Sequence, residues 1–362
     1  MNPSSISTSP GFAQCDEEYS AAELAALWRR NRQTLVSDLE RHHRTVKGWP
    51  AHFKIELTNY CNLSCPMCPH ESMRRPVGYM EPSLFRRIID EAVPELEFAY
   101  VHHLGESLFH GRIGELIAYG ERHGVNMGLS TNATFLDDRK SRALLDAGLT
   151  FLVLSLDAAS EQSYGQMRVG GYYQKTVDNI ERLLRLRHIE RHPIRIVVQM
   201  IVSAHNEHEV TTFARRWPDL VVLKEARDWA GQVPLSSLRP RLGRPSDAIE
   251  ADQLTTLSAP CRLPWSELTV LWDGHVVPCA NVFEHVNLLG DLRVQSLDEV
   301  WNGEPMLQLR RAHLRNALSD VPVCRSCPRH ALQADDFVAV DQLSQRLRNY
   351  VGGQLSPRSG LS

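Results

Sequence analysis

The sequence predicts an α/β fold built on a parallel sheet, with a helical segment before the sheet and a small cysteine-bearing unit after it. From residue 53 to about residue 225, short apolar runs alternate with longer stretches of helical periodicity. Such alternation is typical of parallel strands joined by helical crossovers. Ser20 supplies a helix N-cap before this region, and Asp273-Gly274 marks a hairpin after it.

Residues 1–50 are predicted to be a disordered tail followed by a helical extension. The first 20 or so residues are rich in Ser, Pro and Gly, a composition typical of disorder. Ser20 and Glu23 then match a capping box, and apolar residues recur at helical spacing. We expect one or two helices that pack outside the main domain as a structural extension. A substrate-binding role is the alternative.

The central region, residues 51–232, is predicted to contain six strands and five helices. The strands are expected near residues 53–58, 98–104, 125–130, 151–157, 194–203 and 220–225. The helices are expected near residues 82–93, 112–123, 138–147, 173–191 and 206–216. Since α/β folds place their active sites at the carboxyl ends of parallel strands, functional residues are expected there.

Three cysteines follow the first predicted strand at the spacing C-x3-C-x2-C, namely Cys61, Cys65 and Cys68. Three close thiols cannot all pair as disulfides, and the polar N-terminus does not resemble a secretory signal, so a metal site is favoured. Three thiolates leave one iron of a [4Fe-4S] cube without a protein ligand, which opens that iron to an exogenous ligand. Buried structural thiols or part of a zinc site are the alternatives.

This triplet resembles the hallmark of the radical S-adenosylmethionine (SAM) superfamily, C-x3-C-x-aromatic-C. The resemblance implies that the three cysteines bind a [4Fe-4S] cluster and that SAM occupies the fourth iron. It also implies that the six strand-helix units form a partial (β/α)6 barrel of the TIM type. Met67 stands where an aromatic residue usually lies beside the adenine, and methionine is adaptable enough to pack there.

Residues at the ends of several predicted strands resemble SAM-binding positions of the superfamily. Gly105 and Glu106 match a G-G-E-P-like segment that binds the SAM ammonium, whereas Leu104 and Ser107 depart from it. Four candidates at the third and fourth strand ends, and one on the fifth strand, are Ser130, Asn132, Ser155, Asp157 and Gln199. Ordinary turn and cap chemistry is the alternative explanation of each strand-end residue.

Residues 164–171 have the pattern Y-x-x-x-R-x-G-G, which resembles a segment frequent in superfamily members with an auxiliary cluster. In those proteins the arginine commonly meets the SAM carboxylate, so the resemblance implies that role for Arg168. A guanidinium suits the role because it can pair with a carboxylate through two parallel hydrogen bonds.

The sixth predicted strand leads into a charged segment that is a candidate substrate and catalytic site. Its charged residues are Lys224, Glu225, Arg227 and Asp228. At a barrel mouth, the carboxylates or the lysine could accept a hydroxyl proton, and the arginine could stabilise an oxyanion. A solvated loop is the alternative. Residues 233–258, which contain several Pro, Arg and Ser, are predicted to be a linker or covering loop.

Four more cysteines belong to a C-terminal unit predicted to span residues 259–335, and they are Cys261, Cys279, Cys324 and Cys327. The predicted hairpin lies between the first two, and a helical stretch near residues 297–316 brings the final C-x2-C pair back to them. Four cysteines can close a structural zinc site or fully ligate a second iron-sulfur cluster, and spacing alone does not distinguish these. Residues 336–362 are predicted to be a C-terminal helix and tail.

The order of the four cysteines resembles the "twitch" domain, a shortened form of the SPASM domain that follows some radical SAM cores. This resemblance implies a small α+β domain with a second [4Fe-4S] cluster. With two [4Fe-4S] clusters, all seven cysteines after the N-terminal tail act as ligands, and only Cys15 remains.

Charge and hydropathy exclude several other functions. The net charge is −3 with 16 His uncounted, so there is no electrostatic case for binding nucleic acid or an anionic membrane. No run of about 18 consecutive apolar residues is present. We therefore expect a cytoplasmic protein that acts on a small polar substrate, with no nucleic-acid or membrane partner.

The resemblance implies that an electron from a flavodoxin- or ferredoxin-type reductant cleaves SAM to a 5′-deoxyadenosyl radical, which takes a hydrogen atom from the substrate. Epimerases then need a thiol to return a hydrogen atom, whereas a dehydrogenase needs an electron acceptor, such as an auxiliary cluster. We therefore expect a radical SAM dehydrogenase that oxidises a secondary alcohol of an aminocyclitol or aminosugar to a ketone in antibiotic biosynthesis. The alternatives are a sugar epimerase, a peptide (RiPP) maturase, and a non-catalytic iron-sulfur or zinc protein.

Overall fold

The structure is a computed structural model that describes residues 19–240, 260–325 and Cys327. The predicted N-terminal tail up to residue 18, which includes Cys15, lies outside the described residues. So do most of the predicted linker and the predicted C-terminal helix and tail. Among the described helices, none combines the length and apolar character that a membrane span needs.

The described strands form a single nine-stranded sheet. They are β1 (His52–Ile55), β2 (Phe98–Tyr100), β3 (Asn126–Thr131), β4 (Phe151–Ser155), β5 (Arg195–Val202), β6 (Val221–Glu225), β7 (Glu267–Val270), β8 (His275–Val277) and β9 (Gly290–Asp291). Their order in the sheet is β6-β5-β4-β3-β2-β1-β7-β8-β9. The predicted fold class is confirmed, because β1 to β6 are parallel and form the partial barrel.

The C-terminal hairpin continues this sheet. Strand β7 pairs in parallel with β1, and β8 and β9 follow it in antiparallel order. The sequence predicted the hairpin around Asp273-Gly274. It did not predict the pairing of β7 with β1, because pairing between strands far apart in the chain produces no local sequence pattern. The C-terminal unit is therefore anchored directly on the first barrel strand.

The helices lie close to the predicted positions. They are α1 (Ala21–Glu40), α2 (Pro82–Ala92), α3 (Ile113–Arg122), α4 (Asp138–Asp146), α5 (Glu161–Met167), α6 (Tyr173–Glu190), α7 (Val210–Arg216), α8 (Leu297–Trp301), α9 (Glu304–Leu314) and α10 (Pro322–Arg325). Helix α5 was not predicted, because seven residues are too few to show helical periodicity. The helix predicted from residue 206 begins as a 3₁₀ turn at Glu207–Glu209 and becomes α7.

The N-terminal extension is one helix that begins with the predicted capping box. Ser20 Oγ accepts the Glu23 N–H at 3.3 Å, and the Glu23 carboxylate accepts the Ser20 N–H at 2.8 Å. Asn31 exchanges two hydrogen bonds of 2.9 Å with the backbone of Trp49. Trp28 donates its indole N–H to the carbonyl oxygen of Pro94 at 3.1 Å. Since Trp49 and Pro94 precede β1 and β2, the helix packs at the amino end of the barrel.

The two faces of the sheet differ in character. Leu152 and Leu154 of β4 belong to the large apolar core, whereas Val153 packs with Val197 and Val222 in a separate small cluster. Side chains alternate between faces along a strand, so the small cluster marks the inner face of the barrel. Side chains two residues farther along each strand, toward its carboxyl end, also face inward.

A buried ion pair joins the end of β1 to the C-terminal unit. The side chains of Glu56 and Arg75 are 0% and 1% exposed, and two hydrogen bonds of 2.5 and 2.7 Å connect them. Arg75 Nε also donates to the carbonyl oxygen of Phe283 at 2.6 Å, and Glu56 accepts the Trp272 N–H at 3.2 Å. Burial raises the pKa of Glu56, and the charge of Arg75 opposes that shift.

Replacing Arg75 with methionine should destabilise the protein strongly. The Arg75→Met variant leaves the buried Glu56 carboxylate without its cation, a change that costs about 3–5 kcal/mol. We expect the free energy of unfolding to fall by about that amount in anaerobic urea unfolding followed by circular dichroism. The double variant Glu56→Gln/Arg75→Met removes both charges and should recover a large part of the loss.

The matched control is Arg112→Met, because Arg112 pairs with Glu115 at the surface. Its unfolding midpoint should stay near that of the wild type, since exposed ion pairs contribute little to stability. Equal losses in the Arg75 and Arg112 variants would contradict the special role of the buried pair.

Candidate functional site

The first cysteine set lies on the loop between β1 and the 3₁₀ turn at Pro69–Ser72. Burial raises the pKa of Cys61 to about 11 and that of Cys68 to about 12, and the charge of Cys65 adds to both shifts. The thiols are thus close enough to repel one another as thiolates. Metal coordination deprotonates a thiol outright, so a positively charged cluster would relieve this repulsion. The site fits a cluster held by three thiolates.

Apolar side chains surround these cysteines. Leu63, Met67, Met167 and Leu238 pack with Cys65 in one buried cluster. Leu238 belongs to the described part of the predicted covering loop, and its carbonyl oxygen accepts the Ala204 N–H at 3.1 Å. Met67 is buried, and its carbonyl oxygen accepts the indole N–H of Trp229 at 3.1 Å. A place for Met67 beside the adenine stays a prediction.

Glu106 is buried and joins the ends of β2 and β3. Its carboxylate accepts the Asn132 N–H at 2.7 Å, the Thr131 hydroxyl at 2.8 Å and the Leu108 N–H at 3.1 Å. A carboxylate has room for a further donor beyond these three. Glu106 can therefore still accept a hydrogen bond from the SAM ammonium, and this contact stays a prediction.

Gly105 is required for packing between strand ends. Its φ of +78° favours glycine, and a Cβ there would lie 2.5 Å from the carbonyl oxygen of Thr58. The resemblance to the superfamily implied that Gly105 belongs to the segment that binds the SAM ammonium. The structure supplies a sufficient reason within the chain, and the contact with SAM stays a prediction.

Arg168 lies between Asp157 and the first cysteine set. Its Nη2 is 2.5 Å from Asp157 Oδ2, and its Nη1 is 3.6 Å from Cys65 Sγ. Burial opposes protonation, but the charge of Asp157 raises the pKa of Arg168, so the guanidinium stays charged. Its Nε is buried and has no hydrogen-bond partner among the described residues. A ligand carboxylate beside the cysteines would satisfy this donor.

Three of the predicted SAM-contact residues form a polar row across the inner face of the barrel. Ser130 Oγ lies 3.3 Å from Ser155 Oγ, and Gln199 donates to Ser155 Oγ at 3.4 Å. Tyr100, which the sequence analysis missed, extends the row through a hydrogen bond with Ser130. Asn132 lies apart from this row, with its Nδ2 3.9 Å from Cys61 Sγ.

Further inner-face residues were also missed. His102 follows Tyr100 by two positions, and burial, with the charges of His103, Arg168 and Lys224, lowers its pKa to about 3. Lys54 on β1 and Glu267 on β7 form an ion pair at 2.8 Å, and both side chains are largely buried. The alternation of side chains along each strand shows which residues share a face of the sheet. It does not show which face lines the barrel interior, so the sequence alone could not identify these residues.

The structure separates the four charged candidates at the end of β6 and on the loop that follows it. Lys224 is half-buried, and its charge acts on both His102 and Asp157, so it lies toward the barrel interior. Asp228 is half-buried on the following loop, whereas Glu225 and Arg227 are exposed. Lys224 is therefore the member of the set that the fold places nearest the inner polar residues.

The second cysteine set lies around the C-terminal hairpin. Burial raises the pKa of Cys279 to about 12, and the charges of Cys261 and Cys327 add to that shift. Burial likewise raises the pKa of Cys324, with contributions from the other three thiols. Asn281 donates to Cys327 Sγ at 3.6 Å. None of the seven described cysteines forms a disulfide, and this set of four thiols also fits a metal cluster.

Trp229 lies between the two cysteine sets. Besides its hydrogen bond to Met67, its ring is 6.4 Å from the ring of His103 and 6.2 Å from that of Phe283. His103 bonds in turn to the carbonyl oxygen of Val282 at 3.0 Å. The loop after β6 therefore connects the first cysteine loop with the C-terminal unit.

Two parts of the chain match known families. Residues 55–215 match the radical SAM superfamily, and residues 261–328 match SPASM, an iron-sulfur cluster-binding domain. The first range contains the first cysteine set, and the second range contains the other four cysteines. SAM, a [4Fe-4S] cluster and an auxiliary iron-sulfur cluster are the cofactors that these domains use.

Several curated proteins are similar in sequence. A tungsten-containing aldehyde ferredoxin oxidoreductase cofactor-modifying protein of Pyrococcus furiosus is 26% identical, with 78% of this chain and 88% of that protein covered. A PqqA peptide cyclase of Gluconobacter oxydans is 24% identical over 79% and 84%. An S-adenosyl-L-methionine-dependent 2-deoxy-scyllo-inosamine dehydrogenase of Niallia circulans is 18% identical over 78% and 94%.

Solved structures share the fold. BtrN in complex with AdoMet and 2-DOIA superposes with a TM-score of 0.51 at 15% identity, covering 79% of this chain and 96% of BtrN. SuiB of Streptococcus suis bound to its precursor peptide SuiA superposes with a TM-score of 0.58 at 14% identity, covering 77% and 70%. At these identities the likeness concerns the fold alone.

Iron content should report both cysteine sets. Anaerobically reconstituted wild-type protein should hold about eight iron atoms per chain, four for each [4Fe-4S] cluster. The triple variant Cys61→Ala/Cys65→Ala/Cys68→Ala should retain about four. The test is to quantify iron and sulfide in both proteins and to measure zinc in parallel. About four iron atoms in the wild type and none in the variant would contradict a second iron-sulfur cluster.

Replacing Arg168 with lysine should weaken SAM binding while the positive charge remains. Lysine lacks the Nε donor and the fixed fork of the guanidinium. Loss of a charge-assisted hydrogen bond costs about 1.5–3 kcal/mol, so the dissociation constant for SAM should rise by about tenfold or more. Calorimetry on cluster-loaded protein makes the measurement. The control is Arg216→Lys, because Arg216 pairs with Glu181 on the outer helices. Unchanged SAM affinity at full iron content would contradict the predicted role.

Proposed function

Because this chain is a radical SAM protein with a C-terminal SPASM domain, we propose that it oxidises a secondary alcohol of an aminocyclitol or aminosugar to a ketone in natural-product biosynthesis. When bound, SAM and the first cluster supply a 5′-deoxyadenosyl radical that abstracts a hydrogen atom, and the auxiliary cluster supplies an electron acceptor. The observation that carries the proposal is the polar inner face of the barrel.

The inner polar row suits a polyhydroxylated substrate. Ser130, Ser155 and Gln199 offer hydroxyl and amide groups that can both donate to and accept from substrate hydroxyls. A purely apolar ligand would leave these groups without partners, at a cost in binding free energy.

His102 and Lys224 are suited to the hydroxyl group that is oxidised. Since burial lowers its pKa to about 3, His102 is a neutral imidazole, and one ring nitrogen carries a lone pair that can accept a hydrogen bond from the hydroxyl. The charge of Lys224 acts on the same region and would stabilise developing negative charge on the oxygen. Among the originally predicted group, we therefore assign this role to Lys224 in preference to Glu225 and Arg227.

The placement of the cysteines favours oxidation over epimerisation. All seven described cysteines lie in the two sets that fit clusters. None of these seven is left over on the inner face to return a hydrogen atom to a substrate radical. The similarity to a dehydrogenase of 2-deoxy-scyllo-inosamine and to BtrN agrees with this assignment. Peptide modification is the second candidate, because SuiB shares the fold and binds a precursor peptide.

Product analysis with small aminocyclitols tests the proposal. Reconstituted protein, SAM and dithionite should convert 2-deoxy-scyllo-inosamine, or another aminocyclitol from a screened panel, to a ketone two mass units lighter. One 5′-deoxyadenosine should form per ketone. Hydrazine trapping and mass spectrometry make the measurement. A product of the substrate's own mass in ordinary water, and one mass unit heavier in deuterated water, would identify an epimerase. Turnover restricted to peptides would identify a maturase. Either result overturns the proposal.

Substitution of Lys224 tests its assignment in the same assay. Lys224→Met should lower kcat by about a hundredfold, the lower end of what one positioned acid-base or electrostatic group contributes. Iron content and SAM affinity should stay at wild-type values. Arg185→Met is the control, because Arg185 is exposed on α6. Full turnover by the Lys224 variant would remove this residue from the site.

A further inference from the structure

Outside the cysteine sets, three side chains of types that commonly ligate metals meet at the turn of the C-terminal hairpin. Asp273 lies in the turn between β7 and β8, His275 is the first residue of β8, and His285 lies on the loop that leads to β9. One potential ligand atom of each residue lies within 4.8 Å of the other two. The side chains of Asp273, His275 and His285 are only 11%, 22% and 31% exposed, so the group is recessed.

The donor atoms face one another at short range. Asp273 Oδ1 is 3.1 Å from His275 Nδ1, and Asp273 Oδ2 is 2.7 Å from His285 Nε2. The two imidazole rings are tilted by 43° with centroids 4.7 Å apart. The His275 N–H also donates to Asp273 Oδ1 at 3.3 Å, which orients the carboxylate toward the rings.

These contacts are close, but they are not hydrogen bonds of ordinary geometry. His275 Nδ1 and His285 Nε2 are both shielded from solvent, and neither has a hydrogen-bond partner among the described residues. The carboxylate oxygens therefore lie off the directions in which the ring nitrogens point. Buried polar atoms in native proteins nearly always have a partner, so two such nitrogens beside one carboxylate indicate that a further group binds them.

The neighbouring charges do not supply that group. Asp291 lies opposite His275 in the β8–β9 pairing, but its carboxylate is occupied by Arg293, at 2.7 and 2.9 Å. The site thus contains two imidazoles and a single available carboxylate. Neutral imidazole and carboxylate together are typical ligands of zinc and of related divalent transition metals.

We propose that Asp273, His275 and His285 form a binding site for one Zn²⁺ ion. The ligand atoms are His275 Nδ1, His285 Nε2 and a carboxylate oxygen of Asp273, with water in the remaining position. Zinc-ligand bonds of about 2.0–2.2 Å in a tetrahedral site place ligand atoms roughly 3.3 Å apart. The observed separations are shorter than that value: 3.1 Å from His275 Nδ1 to Asp273 Oδ1 and 2.7 Å from His285 Nε2 to Asp273 Oδ2, so metal binding requires a small outward shift of the side chains.

Zinc at this site would fasten the hairpin turn to the loop after Cys279. That loop also carries Glu284, whose carboxylate accepts the N–H groups of Arg74 and Arg75 at 2.5 and 3.1 Å. The metal would therefore hold the loop that contacts the segment following the first cysteine set. Its role is structural, and it is independent of the substrate that the enzyme uses.

Zinc titration of the cluster-loaded protein tests the proposal. The full chain is reconstituted with iron and sulfide, washed with EDTA, and titrated anaerobically with Zn²⁺ by calorimetry, with metals counted by mass spectrometry. The wild type should bind one zinc ion in addition to its iron. Since even the loss of a partner that only orients a ligand costs 10–100-fold in affinity, His285→Ala and Asp273→Asn should each raise the zinc dissociation constant at least about tenfold.

The control variant is His208→Ala, because His208 is 68% exposed and lies far along the chain from the hairpin. It should bind zinc as the wild type does. Unchanged iron content shows that each variant is folded and that its cysteines are occupied. If a variant loses iron, His275→Gln is titrated with zinc in its place. A wild type that binds no zinc beyond its iron, or a His285→Ala variant with wild-type zinc affinity, would overturn the proposal.

Discussion

The buried Glu56–Arg75 ion pair is the interaction on which the relation between the two halves of the protein depends. Glu56 directly follows β1, the strand that pairs with both the barrel and the C-terminal hairpin. Arg75 belongs to the segment after the first cysteine set and also binds the backbone of Phe283. Because both charges are removed from water, neither can be lost alone without a large penalty. The pair therefore fixes the first cysteine loop against the unit that carries the second set.

Local sequence patterns were sufficient to predict most of the fold. The capping box at Ser20 predicted the start of α1, and the alternation of apolar runs predicted six parallel strands. The loop that carries Cys61, Cys65 and Cys68 follows β1 directly, as predicted, while the role of these three thiols as ligands stays a prediction. These features succeed because each depends on residues a few positions apart, where backbone geometry and side-chain chemistry are coupled directly.

The remaining features depend on contacts between distant segments, which no local pattern reports. The pairing of β7 with β1 decides that Lys54 meets Glu267 inside the barrel. Gly105 is explained by the approach of Thr58, nearly fifty residues earlier in the chain. His102 resembles any histidine in the sequence, and its lowered pKa arises only from burial and the cations that the fold places around it. Functional roles for residues other than the cysteines can therefore be assigned only when the residues that line the inner face of the barrel are known.

Ligation of clusters by these cysteines would link cluster assembly to folding. Burial raises the pKa of Cys68 and of Cys279 to about 12, so without metal these thiols keep their protons at neutral pH. Ligation requires the thiolates, and binding therefore releases protons and replaces repulsion by coordination. Trp229, with bonds and ring contacts to Met67, His103 and Phe283, connects the surroundings of the two sets. Ordering of the first cysteine loop would therefore also restrict the loop after β6, which contacts the C-terminal unit through Phe283.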